Sequence, residues 1–236
     1  MHIFPYLSTL VTFAFTGAVF NRYRQRGGLH LLFWAIGLFL YGLGTLSEVI
    51  LSLTYNAFVL KVWYLTGAML TAAWLGTGTV HLLIRKSNTA QVLTGILAAV
   101  SLLALVLVFA APVNSAAYDV TRPVSEQYKE ILTRGGLIVL LTILLNIYGT
   151  ITLVGGAIYS AFLFWQKKIL ANRMYGNILI AAGALSPALG GTFLRTGLVD
   201  FLYLSELIGA VLMFLGFILA TFGQAETYRT LENASH

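Results

Sequence analysis

Seven long apolar stretches occupy most of this sequence and constrain its fold more than any other feature. They lie near residues 4–20, 29–53, 57–84, 91–112, 135–165, 175–195 and 200–223. A helix needs roughly 20 apolar residues to cross a hydrocarbon core of about 30 Å. Only 9% of the residues are charged, whereas soluble domains carry about 25%. The sequence therefore predicts an all-α, polytopic membrane protein, with one seven-helix transmembrane domain at residues 1–223 and a short cytoplasmic tail at 224–236.

The basic residues are distributed unevenly between the two sets of connecting segments, and this predicts an orientation. Nine of the fourteen Lys and Arg residues fall on one side of the predicted spans. They are Arg22, Arg24, Arg26, Arg85, Lys86, Lys167, Lys168, Arg173 and Arg229. Because cytoplasmic segments are enriched in Lys and Arg, we expect the N-terminus outside and the C-terminus in the cytoplasm.

The first three and last three stretches resemble each other. TGAVF at 16–20 corresponds to GGAIY at 155–159, and TGAML at 66–70 corresponds to IGAVL at 208–212, at nearly the same offset. This predicts a parallel 3+1+3 repeat with the fourth span as the linker. Chance is the alternative, because Gly-Ala pairs are common in membrane helices.

Four of the stretches carry polar and small residues at spacings of three or four, which places them on one helix face. These stripes are Gly37, Tyr41, Gly44 and Glu48; Tyr64, Gly67, Thr71, Trp74, Gly78 and His81; Asn146, Thr150, Leu153, Ala157 and Ser160; and Glu206, Gly209, Met213, Gly216, Ala220 and Gly223. Helix packing explains the glycines. In lipid there is no hydrophobic driving force for helix association, so the helices associate through close contacts at small residues. It does not explain the carboxylates.

Ionisable residues gather at the predicted outer ends of several spans. At 1.5 Å per residue, Glu48 and Glu206 lie roughly 8–10 Å below the outer edge of the membrane. An ionised group in hydrocarbon costs several kcal/mol unless it is paired or hydrated. We therefore predict an outward-facing polar pocket, with Glu48–Lys61 and Glu206–Arg195 as ion pairs. The candidate ligand-binding residues are Tyr41, Glu48, Lys61, Tyr64, Arg195, Asp200 and Glu206.

A structural interpretation of the same charges stays open, in which the ion pairs fix helix register and Lys61, Arg195 and Asp200 reach the interface. Pro187 should kink the sixth span. With Gly190 and Gly191 beside it, it forms a candidate hinge.

Several functional classes are excluded or disfavoured by the residues. The chain has no cysteine, so disulfides and thiolate chemistry are ruled out. We find no nucleotide-binding motif and no catalytic constellation, and His30 and His81 are expected at the interface rather than as haem ligands. We therefore expect no enzyme activity, no cofactor and no metal. The net charge of +6 serves topology and anionic headgroups rather than a nucleic acid partner.

One part of the chain resembles a known class of protein. GGLHLLFWAIGLFLYGLGTLSEVI and LKVWYLTGAMLTAAWLGTGTVHLL, within about residues 27–84, resemble the seven-transmembrane sensor modules of bacterial histidine kinases. They also resemble uncharacterised seven-span bacterial membrane proteins. The resemblance implies a multi-pass protein of the bacterial plasma (inner) membrane with a sensory role. Since no kinase domain follows the seventh stretch, a separate cytoplasmic or membrane protein partner would read the signal.

We therefore expect a binding or sensory module, embedded in the lipid bilayer, for an unknown small polar ligand. Two alternatives stay open. One is a transporter of a small polar solute, which includes proton-coupled transport, and the other is an accessory or scaffolding subunit of a larger membrane complex.

Overall fold

The computed structural model describes residues 3–84, 88–167, 171–195 and 199–233, apart from the side chains of 188, 190–195, 199, 200 and 222–233. The described chain is helical, which confirms the predicted all-α class. Its helices are α1 (Phe4–Arg26), α2 (Leu29–Leu51), α3 (Ala57–Leu83), α4 (Thr89–Ala110), α5 (Val124–Ile131), α6 (Gly136–Gln166), α7 (Ala171–Arg195) and α8 (Val199–Asn233). The last helix extends beyond residue 223, where we predicted a tail.

Five of these helices contain segments that are long and apolar enough to cross a membrane, as expected of a membrane-embedded protein. The segments are Leu29–Leu51, Ala57–Leu83, Thr89–Ala110, Gly136–Gln166 and Phe201–Thr221. The other two predicted spans form α1 and α7, helices of 23 and 25 residues. In α1, the hydroxyls of Thr9, Thr12 and Thr16 donate to carbonyls four residues earlier. These polar residues lower the apolarity of α1, and the seven-span arrangement stays a prediction.

Six long helices form a closed ring. In order of contact they are α1, α2, α3, α6, α7 and α8, and α8 returns to α1. Helix α4 packs on the outside, against α3 and α6. The ring turns one face of α2, α3, α6, α7 and α8 toward a shared interior, which is where the candidate site lies. The predicted 3+1+3 repeat is not tested by this arrangement.

Glycines allow the ring helices to approach closely, as the packing interpretation of the stripes predicted. A methyl group at Gly149 of α6 would overlap the backbone of Ala72 in α3. Between α7 and α8, a Cβ on Gly183 would come within 2.7 Å of the Gly209 carbonyl oxygen, and one on Gly209 within 2.7 Å of the Gly183 oxygen. Any side chain at these positions would push the helices apart.

Two of the ring helices contain a π-helical segment, Tyr64–Leu70 in α3 and Ile151–Gly155 in α6. The Thr71 backbone N–H and hydroxyl both bond to the carbonyl of Thr66, five residues earlier. A wider turn rotates the rest of the helix away from its expected phase. Beyond it, Trp74 and His81 bond to Ser101 and Thr94 of α4. The stripe predicted for the third span is therefore split between two helix faces.

The segment between α4 and α6, residues 112–135, forms an ordered cap that contains α5. At its centre lies the Gln127 side chain, which is fully buried. Its oxygen accepts from the Asp119 N–H at 2.8 Å, and its amide nitrogen donates to the carbonyls of Asp119 and Arg122 at 2.7 and 2.6 Å. Hydrogen bonds from the Thr121 hydroxyl and N–H hold the pKa of the Asp119 carboxyl below its usual range.

Three contacts attach the cap to the ring. The Tyr118 hydroxyl donates to the carbonyl of Leu51 at the end of α2. The hydroxyls of Ser125 and Tyr203 lie 3.2 Å apart, which joins α5 to α8. The Arg134 guanidinium lies over the Tyr128 and Tyr64 rings, 4.8 and 5.8 Å from their centroids. We call this end of the bundle the cap face.

Candidate ligand-binding site

A cavity of about 290 Å³ lies inside the ring, beneath the cap. We call it the central cavity. Residues of α2, α3, α6, α7 and α8 line it, and the cap contributes Ser125. Its polar lining residues are Tyr41, Thr45, Glu48, Trp63, Thr71, Ser125, Asn146, Thr150 and Glu206. Most of these belong to the stripes predicted from the sequence, so the stripes of α2, α3, α6 and α8 do meet at a common space.

Glu48 contributes a buried carboxyl to the cavity. Its side chain is only 5% exposed. The indole N–H of Trp63 donates to Oε1 at 2.9 Å. The second oxygen, Oε2, is buried and has no hydrogen-bond partner among the described residues. Since buried polar atoms are nearly always satisfied, Oε2 needs a donor, which is either a proton shared with the neighbouring Glu206 carboxyl or a group that enters between the two.

The second carboxylate, Glu206 of α8, is the direct neighbour of Glu48. Its main-chain carbonyl accepts a hydrogen bond of 2.9 Å from the hydroxyl of Tyr41, which ties α8 to α2. Among the described residues that line the central cavity, none is basic. Two adjacent carboxylates repel each other when both are ionised, so the pair favours either a shared proton or a bound cation.

A second cavity of about 560 Å³ lies between the cap and the ends of α1 and α2. We call it the vestibule. Pro5, Leu51, Val120, Arg122 and Tyr203 are among its lining residues, and it also contains Glu48. The Glu48 side chain therefore stands where the vestibule meets the central cavity. Because Pro5 lines the vestibule, the beginning of α1 is at the cap face.

The opposite end of the central cavity is apolar. Leu75, Leu153 and Met213 line both the central cavity and a further pocket of about 40 Å³. The other residues of this inner pocket are Phe15, Val19, Trp34, Leu38, Ile180 and Phe217. The cavities thus follow one another from the cap face inward, and their lining changes from carboxylates to hydrocarbon.

The predicted ion pair between Glu48 and Lys61 is wrong. The Lys61 ammonium donates to the carbonyl of Phe109 at 2.7 Å, near the C-terminal end of α4, where backbone carbonyls favour a cation. Residues 61 and 63 point to different sides of α3, and Trp63 takes the inward position. A buried indole N–H needs an acceptor, and this requirement is the signal that would have pointed to Trp63.

Tyr64 also lies outside the lining of both cavities, contrary to prediction. Its ring is buried between α3 and α6, with its hydroxyl 3.0 Å from that of Thr142. The described lining does contain Tyr41, Glu48 and Glu206 as predicted.

The side chains of Arg195 and Asp200, and the surroundings of Gly190 and Gly191, lie outside the described part of the chain, so the Glu206–Arg195 pair stays a prediction.

Pro187 lines the central cavity, and α7 continues through it as one helix. Its Cδ would lie 3.1 Å from a Cβ at Gly209, so the proline ring packs closely on α8. The hinge predicted around this residue stays a prediction.

The geometry can be set against other proteins. Comparison with protein-family models, with curated proteins and with solved structures finds no match. The resemblance to sensor modules therefore stays a prediction. In the described residues, no group of three or more His, Asp or Glu side chains is placed to hold a metal ion.

Proposed function

We propose that the chain is a seven-span protein of the bacterial plasma membrane that binds a small polar ligand in its central cavity. The cap face is outside, the N-terminus is outside and the C-terminus is cytoplasmic, so the ligand enters through the vestibule. The observation that carries the proposal is the Glu48 carboxyl, which is buried between two cavities with one oxygen unsatisfied.

The energetic argument starts from the cost of that carboxyl. A buried acceptor without a partner costs about 1–3 kcal/mol, and more when the group is charged. A structural role would be served better by a complete set of hydrogen bonds, as Gln127 has in the cap. The Glu48 carboxyl lines the central cavity next to Glu206, so the missing donor is supplied either by a proton that the two carboxyls share or by a group of the ligand.

The connections of the site support a sensory role. The Tyr41 hydroxyl links α2 to the Glu206 carbonyl of α8, next to the carboxyl pair that a ligand would contact. A ligand that draws the carboxyls together or apart shifts α8 relative to α2. Because α8 continues to Asn233, the shift would reach the far end of the bundle, where a cytoplasmic or membrane partner reads it.

A transporter of a small polar solute is the second candidate, and the helix irregularities favour it. Gly67 and Leu153 of the two π-helical segments line the central cavity together with Pro187. Interrupted helices often surround the substrate in transporters. In this case the carboxyl pair would also carry protons. Uptake of a bound solute into proteoliposomes separates the two functions, since a sensor binds without turnover.

The entry route can be tested with cysteines, because the natural chain has none. Ala68 lines the central cavity, and Ala68→Cys places a thiol there. Charged methanethiosulfonates do not cross the membrane, so Ala116→Cys, at an exposed cap position, marks access from the cap side, and Gln25→Cys, at the exposed end of α1, marks access from the other side. We expect the reagents to modify Ala68→Cys from the cap side and not from the side marked by Gln25→Cys.

The matched control is Leu144→Cys. Leu144 lies at a similar depth on α6, between Thr142 and Asn146, which contact Tyr64 and Ala68, but it is 52% exposed on the outer surface of the ring. A thiol there faces lipid, where the reactive thiolate does not form. Modification of Ala68→Cys from neither side, or only from the side of Gln25→Cys, would contradict the proposed function.

A further inference from the structure

We propose that the ligand of the central cavity is a small organic cation with an apolar body, of the alkylammonium class. Its cationic head lies between Glu48 and Glu206, and its body points toward Leu75, Leu153 and Met213. This inference rests on the proposed function and adds the chemical class of the ligand.

The charges of the lining select for a cation. Two neighbouring carboxyls face the same cavity, and the described lining residues include no basic group. A cation placed between the two groups allows both to be ionised. An anion would meet their repulsion instead, and a neutral ligand would leave the pair dependent on a shared proton. An ammonium N–H between the two carboxyls would supply the donor that Oε2 of Glu48 lacks while both are ionised.

Aromatic side chains lie near the two carboxyls. Trp63 and Tyr41 line the central cavity beside the carboxyls, and Tyr203 lines the vestibule with Glu48. Aromatic faces attract cations, Trp most strongly, by about 0.5–2 kcal/mol. The Trp63 indole turns the edge that carries its N–H toward Glu48, so a cation that also contacts the ring face must lie out of the ring plane.

The shape of the cavity sets the size and polarity of the ligand's body. A volume of about 290 Å³ is just below the range of about 300–1,000 Å³ typical of small-molecule sites. Away from the carboxyls, Leu75, Leu153 and Met213 form an apolar end that continues into the inner pocket. A short alkyl chain fills such a space, whereas a zwitterion or a sugar would bring polar groups to it without partners.

A series of three probes with one chain length tests the charge requirement. The full chain is placed in nanodiscs of phosphatidylcholine, which carry no net charge, and titrated calorimetrically with hexylammonium, hexan-1-ol or hexanoate. Hexylammonium should bind saturably with one site per chain, at least about tenfold more tightly than hexan-1-ol, as expected when a buried charge pair is completed. Hexanoate should not bind. Empty nanodiscs measure partition into lipid.

Variants locate the site. Glu48→Gln and Glu206→Gln should each weaken hexylammonium binding by about tenfold or more, while the affinity for hexan-1-ol stays within about twofold. Glu130→Gln is the matched control, because this carboxylate is exposed in the cap and pairs with Arg122; it should leave both affinities unchanged. If the Gln variants do not fold, the three probes on the natural chain still decide the question.

The two proposals fail in different ways. If hexan-1-ol binds as tightly as hexylammonium, or if Glu48→Gln and Glu130→Gln behave alike, the cationic class is wrong, although entry at Ala68→Cys can still stand. The same holds if hexylammonium only partitions as in empty nanodiscs. If Ala68→Cys is not modified from the cap face, the proposed function itself is wrong.

Discussion

The indole N–H of Trp63 donates a 2.9 Å hydrogen bond to Oε1 of Glu48. This bond joins α3 to α2 at the point where the vestibule meets the central cavity. It holds one carboxyl oxygen, while the other is buried without a hydrogen-bond donor among the described residues. The site therefore has a fixed acceptor whose position does not depend on a ligand.

The first prediction concerns that bond. Trp63→Phe removes the donor and leaves both oxygens of a buried carboxyl unsatisfied, so it should lower the free energy of unfolding by about 1–3 kcal/mol. Trp74→Phe is the matched change, since the Trp74 indole donates at 3.2 Å to the neutral Ser101 hydroxyl. We expect Trp63→Phe to destabilise more than Trp74→Phe in denaturant titrations. Equal effects would mean that the Glu48 contact contributes nothing particular.

The second prediction concerns the contact between α3 and α6. Gly149→Ala should destabilise the protein by about 1–3 kcal/mol through overpacking, because its methyl group meets the Ala72 backbone. Gly155→Ala in the same helix should be neutral or stabilising, since a Cβ there has no atom within 4 Å. Thermal unfolding of the two variants measures the difference. A tolerated Gly149→Ala would contradict the observed approach of the two helices.

The third prediction concerns Asn146, whose amide donates to the Ala68 carbonyl at 2.8 Å. That carbonyl belongs to the π-helical segment of α3. Asn146→Leu removes the donor and should cost about 0.5–1.5 kcal/mol for the bond, or up to about 3 kcal/mol if the carbonyl stays unsatisfied. Asn177→Leu is the control, because the Asn177 amide bonds within its own helix, to Arg173. A smaller loss of stability for Asn146→Leu than for Asn177→Leu would overturn this assignment.

The fourth prediction concerns the cap. Gln127→Leu keeps the approximate volume but removes three buried hydrogen bonds, so the cap should open more often. A loss of about 1.4 kcal/mol in the opening free energy makes trypsin cleavage at Arg122 or Lys129 about tenfold faster. Ala116→Ser, an exposed change in the same cap that lies away from both cleavage sites, should leave the rate near that of the natural chain. An unchanged rate for Gln127→Leu would show that Gln127 does not hold the cap together.

Much of the fold could be predicted from the sequence. Runs of about 20 apolar residues marked the long helices, and the cost of burying charge marked Glu48 and Glu206 as inward-facing. Tyr41 followed from sharing a helix face with Glu48. Each of these inferences rests on local periodicity or on solvation, and both can be read from a single sequence.

The remaining features depend on how helices meet. The π-helical segment of α3 changes the phase of the helix. Tyr64 and Trp74 therefore do not lie on the cavity-facing side that a period of 3.6 residues predicts for them. The Lys61 ammonium donates to a carbonyl at the end of α4 and not to a carboxylate, because an ammonium can donate to either kind of oxygen. The bond between Ser125 and Tyr203 joins residues far apart in sequence, and periodicity carries no information about such a pair.

The most direct test of the central claim measures the electrostatic potential that Glu48 and Glu206 create inside the cavity. The rate of modification of Ala68→Cys is compared for a trimethylammonium and a sulfonate methanethiosulfonate of equal length, and each rate is divided by that of Ala116→Cys. The account predicts that the normalised rate at Ala68→Cys is at least about tenfold higher for the cationic reagent than for the anionic one. The double substitution Glu48→Gln and Glu206→Gln should abolish this preference. Equal rates for the two reagents, or a preference that survives both substitutions, would contradict it.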